Sequence, residues 1–347
     1  MRILIVKTSS MGDVLHTLPA LTDAAACLPE AKFDWLVEED FAEIPAWHSS
    51  VENVYPVALR RWRKTVLQGL FNGEYQRVFR QLRQHHYDYI IDAQGLTKSA
   101  LLARLAKGKR YGLSSKSARD PLAFIHYHQS YKVAWHKHAV ERVRELFAQV
   151  LGYCIPNGLP DYGIKLTSFT NAPLSGEYLV FLHGTTWTTK LWPEPYWREL
   201  VMLATRLGYF VYLNSGNPDE LARAQRITRG IKMASAMPRQ RIATLAAILV
   251  HAKGVVAVDT GLAHLAAALT KPSVSIYGAS DAKLTGTYGL NQTHLQADFS
   301  CSPCFAKSCQ KPAIGTIHPP CYEKLSPDSV WQALMQQIEL AKGNVCV

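Results

Sequence analysis

The stretch RILIVKTSSMGDVLHTLPA, residues 2–20, contains the residues that decide the fold of this chain. Ile3 to Val6 form a short apolar run that predicts a buried strand, and Lys7 ends it in a small polar turn. Asp13 stands where we expect a helix to begin, over about residues 13–28. In an open α/β sheet, ligands bind in the crevice at the carboxyl ends of the strands. The stretch therefore predicts an open sheet with a carboxylate at its ligand-binding edge.

A carboxylate at this position has two interpretations. Asp13 could act as a base in a reaction, or it could cap the helix, since Asp is a favoured N-cap residue. From these residues alone the cap is the better-supported interpretation, and the case for chemistry depends on the rest of the chain.

The same alternation of strands and helices continues along the chain. In the first half, strands are predicted at residues 33–37 and 89–91, with a helix after Gly95. Between residues 150 and 176 turn residues dominate, which predicts a linker. A second series then has strands at residues 178–183, 210–214, 255–259 and 273–278, and helices at about 194–207, 218–228 and 239–251.

This alternation predicts two α/β domains, each a parallel sheet flanked by helices. We place them at residues 1–165 and 175–347 and expect a cleft between them. The last helix, at about residues 327–341, has an apolar face through Val330, Leu334 and Ile338. That face must pack on a core, and the N-terminal domain is one candidate.

Length and composition narrow the class of protein. A chain of 347 residues suggests roughly two domains. Its 48% hydrophobic and 19% charged residues are typical of a folded protein. No apolar run reaches the ~18 residues of a membrane span, and the first residues do not resemble a secretory signal. We therefore expect a cytoplasmic protein.

Seven cysteines, an odd number, argue against an extracellular disulfide framework. Four of them, Cys301, Cys304, Cys309 and Cys321, follow the spacing C-x2-C-x4-C-x11-C in a proline-rich stretch. Four thiols this close could bind a structural zinc ion. The alternative is a set of free or packing thiols, because the last two spacings are not the usual paired knuckles.

The positive charge of the chain is concentrated in one segment. The net charge is +11, and residues 60–145 contain 18 Lys and Arg against 6 Asp and Glu. That segment alone therefore carries the whole excess. The electrostatic field of such a segment attracts polyanions. Nucleic acid, an anionic membrane surface and a phosphorylated small substrate are all candidate partners.

In the second half, the sequence VVAVDTGLAHLAAAL repeats the pattern of the opening stretch. A strand leads into Asp259, Thr260 and Gly261, and then into an apolar helix that carries His264. Free amides at a helix start attract phosphate, and glycine lets a ligand approach the backbone. In the alternative interpretation, Asp259 only caps the helix and His264 is a core histidine.

Two further loops in this half follow predicted strands. The loop HGTTWTTKLWP contains Thr185, Thr186 and Lys190, whose hydroxyls and ammonium suit a diphosphate. Glu220 follows another strand, where a carboxylate could accept hydrogen bonds from ribose hydroxyls. The alternatives are a solvated lysine and a first-turn glutamate that complements the helix dipole.

The chain resembles the family 9 glycosyltransferases, the lipopolysaccharide heptosyltransferases, over nearly its whole length. Five separated blocks carry the resemblance: KTSSMGDVLHTLPAL (7–21), RRWRK (60–64), DAQGLTKSA (92–100), HAVER (138–142) and VDTGLAHL (258–265). The resemblance implies a GT-B architecture of two Rossmann-like domains. The C-terminal domain would bind ADP-heptose, and the N-terminal domain would bind a Kdo-bearing lipid A intermediate.

The resemblance also implies roles for individual residues. Asp13 would be the catalytic base, and Asp259 would face the donor heptose. Thr185, Thr186, Lys190, Thr260, Gly261 and His264 would contact the donor diphosphate, and Glu220 the ribose. The acceptor's phosphates and carboxylates would meet Lys7, Arg60, Arg61, Arg63, Lys64, Lys98, Arg119, His138 and Arg142.

Two departures from the family bear on these roles. Related sequences have Met beside the adenine, where an ungapped count gives Gln240 here. The cysteine-rich stretch is more similar to enzymes that add the second heptose. Two acceptors therefore stay open: Kdo2-lipid A, which is our main expectation, and the once-heptosylated product.

The implied reaction is a single displacement with inversion, which needs no cofactor. The chain has no Asp-x-Asp metal motif, so Lys190, His264 and the helix-start amides would balance the charge of departing ADP.

The glycolipid acceptor implies peripheral contact with the cytoplasmic face of the inner membrane. A nucleic-acid-binding module is a distant alternative, because the basic segment has no recognition-helix or RNP pattern. An NAD-dependent oxidoreductase fits poorly, since the first turn lacks G-x-G-x-x-G.

Overall fold

A computed structural model of the chain describes residues 1–64, 73–169 and 174–343, and the side chains of Arg63 and Lys64 lie outside this description. The chain divides into two compact units, Met1–Lys165 and Leu166–Val347. Each described unit is built around one parallel sheet of six strands flanked by helices.

The strands of the first unit are β1 (Arg2–Val6), β2 (Lys32–Glu38), β3 (Val51–Val57), β4 (His86–Asp92), β5 (Lys107–Leu113) and β6 (Gln129–Tyr131). Its described α-helices are α1 (Met11–Leu15), α2 (Leu18–Cys27), α3 (Glu43–Ala46), α4 (Leu59–Lys64), α5 (Glu74–Leu82), α6 (Thr97–Ala103) and α7 (Ala139–Leu151). Single-turn or short 3-10 helices cover Glu39–Phe41 and Pro121–His126. The strands pair in the order β3-β2-β1-β4-β5-β6.

The strands of the second unit are β7 (Tyr178–Leu182), β8 (Phe210–Asn214), β9 (Ala234–Met237), β10 (Gly254–Val258), β11 (Ser273–Tyr277) and β12 (Gln292–Gln296). Its described α-helices are α8 (Glu194–Arg206), α9 (Pro218–Thr228), α10 (Ile242–His251), α11 (Gly261–Ala268), α12 (Ala282–Thr285) and α13 (Pro327–Gly343). Short 3-10 helices cover Leu166–Phe169, Thr188–Lys190 and Pro320–Tyr322. The order is β12-β11-β10-β7-β8-β9, which repeats the topology of the first unit.

The central strands are apolar throughout because both faces of each sheet are covered. Ile3, Leu4, Ile5 and Val6 of β1 are fully buried, and so are all five positions of β10. Parallel sheets bury both faces beneath their crossover helices, so their strands are continuous apolar runs rather than alternating ones. The prediction of two Rossmann-like sheets is confirmed, and the repeated strand order is that of the dinucleotide-binding fold.

The first helix differs from its prediction. It begins at Met11 rather than Asp13, and it stops at Leu15 before a second helix runs from Leu18 to Cys27. Pro19 explains the break, because proline cannot donate the backbone hydrogen bond of a continuous helix and is tolerated only in a first turn. Asp13 therefore lies inside the first turn of α1.

The last helix packs within the second unit. Val330, Leu334 and Ile338 are buried in the core that also contains Trp192 and Trp197. Gly254 explains this close approach, since a Cβ there would come within 3.0 Å of both Leu334 and Ile338. The apolar face predicted from the sequence is thus part of the second unit's own core.

The basic segment contains more regular structure than the sequence indicated. The RRWRK block is helical, in α4, and Trp62 is buried in the first unit's core. The sequence analysis missed five of the described strands, β3, β5, β6, β9 and β12. Four of them, β3, β6, β9 and β12, are the edge strands of the two sheets, and β5 is the polar run KGKRYGL beside β6. Among the described residues, no helix combines the length and apolar character needed to cross a bilayer.

A buried ion pair ties α2 to α7. Arg144 donates from Nε and Nη2 to the two oxygens of Asp23, at 2.6 and 3.2 Å, and Nη2 also donates to the Pro156 carbonyl. Both side chains are about nine-tenths buried. Removing one partner of such a pair leaves an uncompensated buried charge.

We therefore expect Asp23→Asn to lower the free energy of unfolding by about 3 kcal/mol, measured by urea denaturation followed by circular dichroism. Asp298→Asn is the matched control, since it breaks an exposed ion pair with Lys324. The free energy of unfolding of the control should stay within about 0.5 kcal/mol of the wild-type value. Equal losses in the two variants would contradict this account of the Asp23 pair.

Candidate functional site

Each sheet has a point where the strand order reverses, between β1 and β4 in the first unit and between β7 and β10 in the second. The connections on the two sides of such a point leave in opposite directions and open a crevice at the carboxyl ends of the strands. Val6 and Asp92 are register partners at this edge of the first sheet. The turns that follow them carry the first group of candidate residues.

Lys7 is buried at this edge and spans both strand ends. Its Nζ donates to the Ala93 carbonyl at 2.9 Å and lies 3.9 Å from Oδ1 of Asp13. The amide of Gln94 holds the turn in place, because its Oε1 accepts hydrogen bonds from the backbone of Thr8 and Ser9, each at 3.1 Å. The Gln94 side chain therefore holds the turn that presents Asp13 in place.

Asp13 is a first-turn residue of α1 and not its N-cap. The N-cap is Ser10, whose backbone N–H and hydroxyl both donate to Oδ2 of Asp13 at 2.9 Å. Oδ1 faces the Lys7 ammonium, and the side chain keeps 22% of its exposure. One carboxylate oxygen thus supports the helix start, while the other lies beside a cation.

The charges around Asp13 keep it ionised. Burial on its own would raise the pKa of Asp13, but Lys7, Arg119 and the hydrogen bonds from Ser10 outweigh it and lower the pKa below its ordinary value. Burial lowers the pKa of Lys7 in turn, and the charge of Asp13 opposes that effect. The lowered pKa of Asp13 keeps its carboxylate ionised beside Lys7 at neutral pH.

Three other predicted acceptor residues lie around this group. Arg119 is exposed and acts electrostatically on Asp13 and on Arg142. Arg142 donates to the Ser117 carbonyl at 2.7 Å and stacks over the Trp135 ring, with Cζ 3.9 Å from the centroid. His138 caps α7 through Nδ1, and its ring packs edge-on against His16 just beyond α1.

The remaining predicted acceptor residues do not share one environment. Arg61 donates to both Glu39 and Glu74, at 2.7 to 3.1 Å, so its guanidinium is already engaged. Arg60 reaches Asp40 at 3.5 Å, and Lys98 is exposed on α6. The side chains of Arg63 and Lys64 lie outside the described residues. The structure therefore brings Lys7 and Arg119 near Asp13, places Arg142 where it acts on Lys7 and His138 against His16, and pairs Arg61 elsewhere.

Sequence reasoning missed Asp92, at the end of β4. It is fully buried, and its oxygens accept from the backbone of Gln94 and Gly95, from Ser99 and from Tyr127. Burial raises the pKa of Asp92, and these donors oppose the rise. Its position was the available signal, because a polar residue directly after a buried strand lies at the sheet's binding edge.

In the second unit, Asp259 and Lys190 form the centre of the corresponding edge. Lys190 Nζ lies 2.6 Å from Oδ2 of Asp259, and the Ser280 hydroxyl donates to the same oxygen. The Thr185 hydroxyl donates to the Asp259 carbonyl at 2.9 Å. Ser280 was also missed, although it follows β11 and so lies at the same sheet edge.

The start of α11 lies beside this pair. Thr260 is its N-cap, so Asp259 is not the cap that the alternative interpretation requires. Gly261 begins the helix, and its first amides present partial positive charge at the strand ends. His264 is buried one turn further along. The edge thus combines one ammonium, one carboxylate and a helix N-terminus.

Glu220 lies at the ends of β7 and β8. Its Oε2 accepts from the Gly216 amide at 2.6 Å, and a Cβ added at Gly184 would come 2.5 Å from its carboxyl group. Glycine at 184 is therefore required for the carboxylate to occupy this place. Thr186 is exposed in the neighbouring loop, and Gln240 donates to the Pro238 carbonyl just after β9.

The four cysteines of the proline-rich stretch are free thiols. Within the described residues, no three His, Cys, Asp or Glu side chains are grouped so as to hold a metal ion. Burial, reinforced by the neighbouring cysteines, raises the pKa of Cys321 to about 12, and its side chain packs on the second core. Cys321 is thus placed as a packing thiol, which is the alternative that the sequence analysis gave to a zinc ligand.

The stretch also supports the loop that carries Lys190. The hydroxyls of Thr188 and Thr189 donate to the carbonyls of Lys307 and Ala306, and the Tyr322 hydroxyl donates to the Thr189 carbonyl. The polar loop after β7 is thereby held from two sides.

Comparison with known proteins decides the family. The model of glycosyltransferase family 9 (heptosyltransferase) matches residues 75–314. The chain belongs to this family. It is 50% identical over 340 residues to lipopolysaccharide heptosyltransferase 1 of Pseudomonas aeruginosa, covering 95% of this chain and 96% of the relative. It is 25% identical over 304 residues to lipopolysaccharide heptosyltransferase 2 of Salmonella typhimurium, covering 82% and 85%.

Solved structures of the E. coli heptosyltransferase WaaC agree with the fold. The WaaC complex with ADP has a TM-score of 0.86 and 45% sequence identity, covering 97% of this chain and 100% of that chain. The complex with ADP-2-deoxy-2-fluoro heptose has a TM-score of 0.82, covering 97% and 99%. The expected GT-B fold is thus confirmed, and the chain is a glycosyltransferase of the heptosyltransferase family.

The geometry around Asp13 predicts that its pKa changes when the neighbouring Lys7 charge is removed. We expect Lys7→Met to raise the pKa of Asp13, because the variant removes the nearest positive charge and leaves the burial. Carboxyl carbon chemical shifts of labelled Asp, followed against pH, measure it. Lys32→Met is the control, since Lys32 opens β2 at the opposite end of the sheet and pairs with Glu52. An unchanged pKa in Lys7→Met would show that Lys7 does not stabilise the carboxylate.

Proposed function

We propose that this chain transfers L-glycero-D-manno-heptose from ADP-heptose to the first Kdo of Kdo2-lipid A, in lipopolysaccharide inner-core biosynthesis. The observation that carries the proposal is the 50% identity, over 95% of the chain, to a lipopolysaccharide heptosyltransferase 1. The chain is only 25% identical to a lipopolysaccharide heptosyltransferase 2, which does not favour the once-heptosylated acceptor. Nucleic acid is not among the proposed partners.

The donor is assigned to the second unit. Lys190 and the amides at the start of α11 would face the diphosphate, with Thr185, Thr186, Thr260, Gly261 and His264 completing that part of the site. Glu220 would accept the ribose hydroxyls, and Asp259 would face the heptose. The Lys190–Asp259 contact at 2.6 Å supports this assignment, because it holds the ammonium at the strand ends, where a diphosphate would meet the helix N-terminus.

The acceptor is assigned to the first unit. Lys7, Arg119, His138 and Arg142 would form the part of the site nearest the reacting hydroxyl. Arg60, Arg63, Lys64 and Lys98 would contact more distant phosphates or carboxylates. Arg61 would have to exchange its bonds to Glu39 and Glu74 for acceptor contacts. Gln240 is assigned to the adenine side of the donor.

The proposed reaction is a single displacement. Asp13 takes the proton from a Kdo hydroxyl, the oxygen forms the new bond to the anomeric carbon of heptose, and the bond to ADP breaks on the opposite face. The configuration at that carbon inverts as a result. Positive charge from Lys190, and donors from α11 and His264, stabilise the diphosphate as it leaves, so no metal or other cofactor is assigned. Asp13 suits this role because its lowered pKa keeps it deprotonated at neutral pH.

Turnover with two acceptors tests the proposal. The purified protein, given ADP-heptose, should use Kdo2-lipid A at least about 10²-fold better, in kcat/KM, than the once-heptosylated acceptor. Turnover should persist in EDTA. Preference for the once-heptosylated acceptor would assign the chain to the second heptose addition instead.

The role of Asp13 has its own test. We expect Asp13→Ala to reduce kcat about 10²-fold or more with little change in ADP affinity, because general-base catalysis typically contributes that much. Product formation and calorimetric titration with ADP give the two quantities. Asp88→Ala is the matched control, since Asp88 is an exposed carboxylate on β4, away from the carboxyl end of the strand. Near-normal turnover in Asp13→Ala would refute the assignment.

We place the chain in the cytoplasm, at the inner face of the inner membrane, because its proposed acceptor is a membrane glycolipid. The concentration of cations in residues 60–145 supports a peripheral, electrostatic contact with anionic lipid.

A further inference from the structure

An exposed apolar ridge lies in the first unit, in the 3-10 helix Pro121–His126. Leu122 and Ile125 are 63% and 60% exposed, and Phe124 is 41% exposed. A 3-10 helix has three residues per turn, so side chains at positions i and i+3 lie on one face. Leu122 and Ile125 therefore project together. We call Leu122, Phe124 and Ile125 the apolar ridge.

The backbone beneath the ridge is held firmly. At its start, the Asp120 carboxylate accepts from the amides of Thr97 and Leu122, at 3.2 and 3.1 Å. At its end, Arg110 Nε donates to the His126 carbonyl at 2.9 Å, and the Tyr127 hydroxyl reaches Asp92 at 2.7 Å. The ridge is thus a fixed part of the surface, and its apolar side chains are presented outward.

Cations lie on the element that packs against the ridge. Helix α6 packs against this 3-10 helix, and Lys98 and Leu101 of α6 and its C-cap residue Arg104 follow one another at intervals of three residues. All three side chains are exposed. Arg119 lies three residues before Leu122, and the Asp120 carboxylate between them is engaged in the hydrogen bonds above. Apolar side chains beside exposed Lys and Arg match the interface of an anionic bilayer.

The ridge also lies close to the proposed acceptor site. The Asp120 amide donates to the Gly95 carbonyl, in the turn after β4 that also contains Gln94. Arg119, next in the chain, is one of the two cations that act on Asp13. A bilayer that touched the ridge would therefore lie beside the carboxylate that meets the acceptor's sugar.

We infer that Leu122, Phe124 and Ile125 enter the headgroup region of an anionic phospholipid bilayer, with Arg104 contacting lipid phosphates beside them. The identity of the glycolipid that this contact serves rests on the proposed function. The contact itself does not, because it needs only an anionic membrane.

Vesicle binding tests the contact directly. The ridge variant is Leu122→Ser with Ile125→Ser, and the probe is vesicles of phosphatidylethanolamine and phosphatidylglycerol at about 3:1, in about 0.1 M salt. We expect the partition coefficient onto the vesicles, measured by co-sedimentation, to fall about tenfold or more. The reason is that the variant lacks two apolar side chains that would be buried in the bilayer. Circular dichroism checks that the variant folds.

Two other exposed leucines provide a matched control. Leu159 is 62% exposed in the first unit, and Leu207 is 63% exposed in the second. The double variant Leu159→Ser with Leu207→Ser removes as much exposed apolar surface away from the ridge, and it should bind vesicles within about twofold of the wild type. Wild-type binding by the ridge variant, or equal losses in both double variants, would overturn the inference.

Turnover on two forms of the acceptor separates this inference from the proposed function. On an acyl-free, soluble sugar-phosphate acceptor the ridge variant should keep its kcat/KM within about twofold, and on acceptor embedded in vesicles it should lose about tenfold. An equal loss on the soluble acceptor would place the ridge in the reaction site and overturn the membrane contact. If the wild type used neither acceptor, the proposed function would fail while the vesicle result stood.

A second copy of the chain is the competing occupant of the ridge. In that case the wild type would be an oligomer in light scattering, the ridge variant would be a monomer, and vesicle binding would not change. That combination would also overturn the inference.

Discussion

The reversal of strand order in each parallel sheet is the constraint on which the rest of the structure depends. Neighbouring strands at the reversal, β1 with β4 and β7 with β10, send their connections to opposite sides, so the carboxyl ends of these strands stay open. Asp13, Asp92, Lys190 and Asp259 all follow one of these ends or lie in the turns there. Because the strands themselves are apolar and buried, the polar candidate residues lie at the strand ends and in the turns.

Each of the two edges carries a lysine paired with a carboxylate. Lys7 lies beside Asp13, and Lys190 lies beside Asp259. Each pair offsets the cost of holding a charge at a partly buried position. The pairing of Asp13 has a second consequence, because a carboxylate with a lowered pKa is always ready to accept a proton but is a weak base. In the proposed mechanism, stabilisation of the departing ADP must therefore supply much of the rate.

Asp92 connects the interior of the first unit to its surface. It is the last residue of β4, holds the next turn through two backbone amides, and accepts a hydrogen bond from Tyr127 just beyond the apolar ridge. Gly112 leaves the space that the Tyr127 ring occupies, since a Cβ there would come 2.4 Å from the ring. A buried acid thus positions both the turn near Asp13 and the surface segment that we infer to contact lipid.

Local patterns in the sequence predicted seven of the twelve described strands, most helices and the topology class. Buried parallel strands must be apolar throughout, so runs such as residues 178–182 and 255–258 are visible without any long-range information. The same patterns singled out Asp13, Lys190 and Asp259 as candidate site residues, because ligands bind at the carboxyl ends of strands in such sheets. The edge strands β3, β6, β9 and β12 were not visible, since an edge strand need not be apolar, and neither was the polar strand β5.

Only the tertiary structure decided which polar residues act together. The sequence placed Arg61 with the acceptor cations, but Glu39 and Glu74 engage it from segments far apart in the chain. It left Asp13 as a possible cap, whereas the folded turn gives the cap to Ser10 and places Lys7 against the free side of the carboxylate. Ion pairs and pKa shifts depend on distances between segments that local periodicity does not encode, and those distances exist only once the sheet has formed.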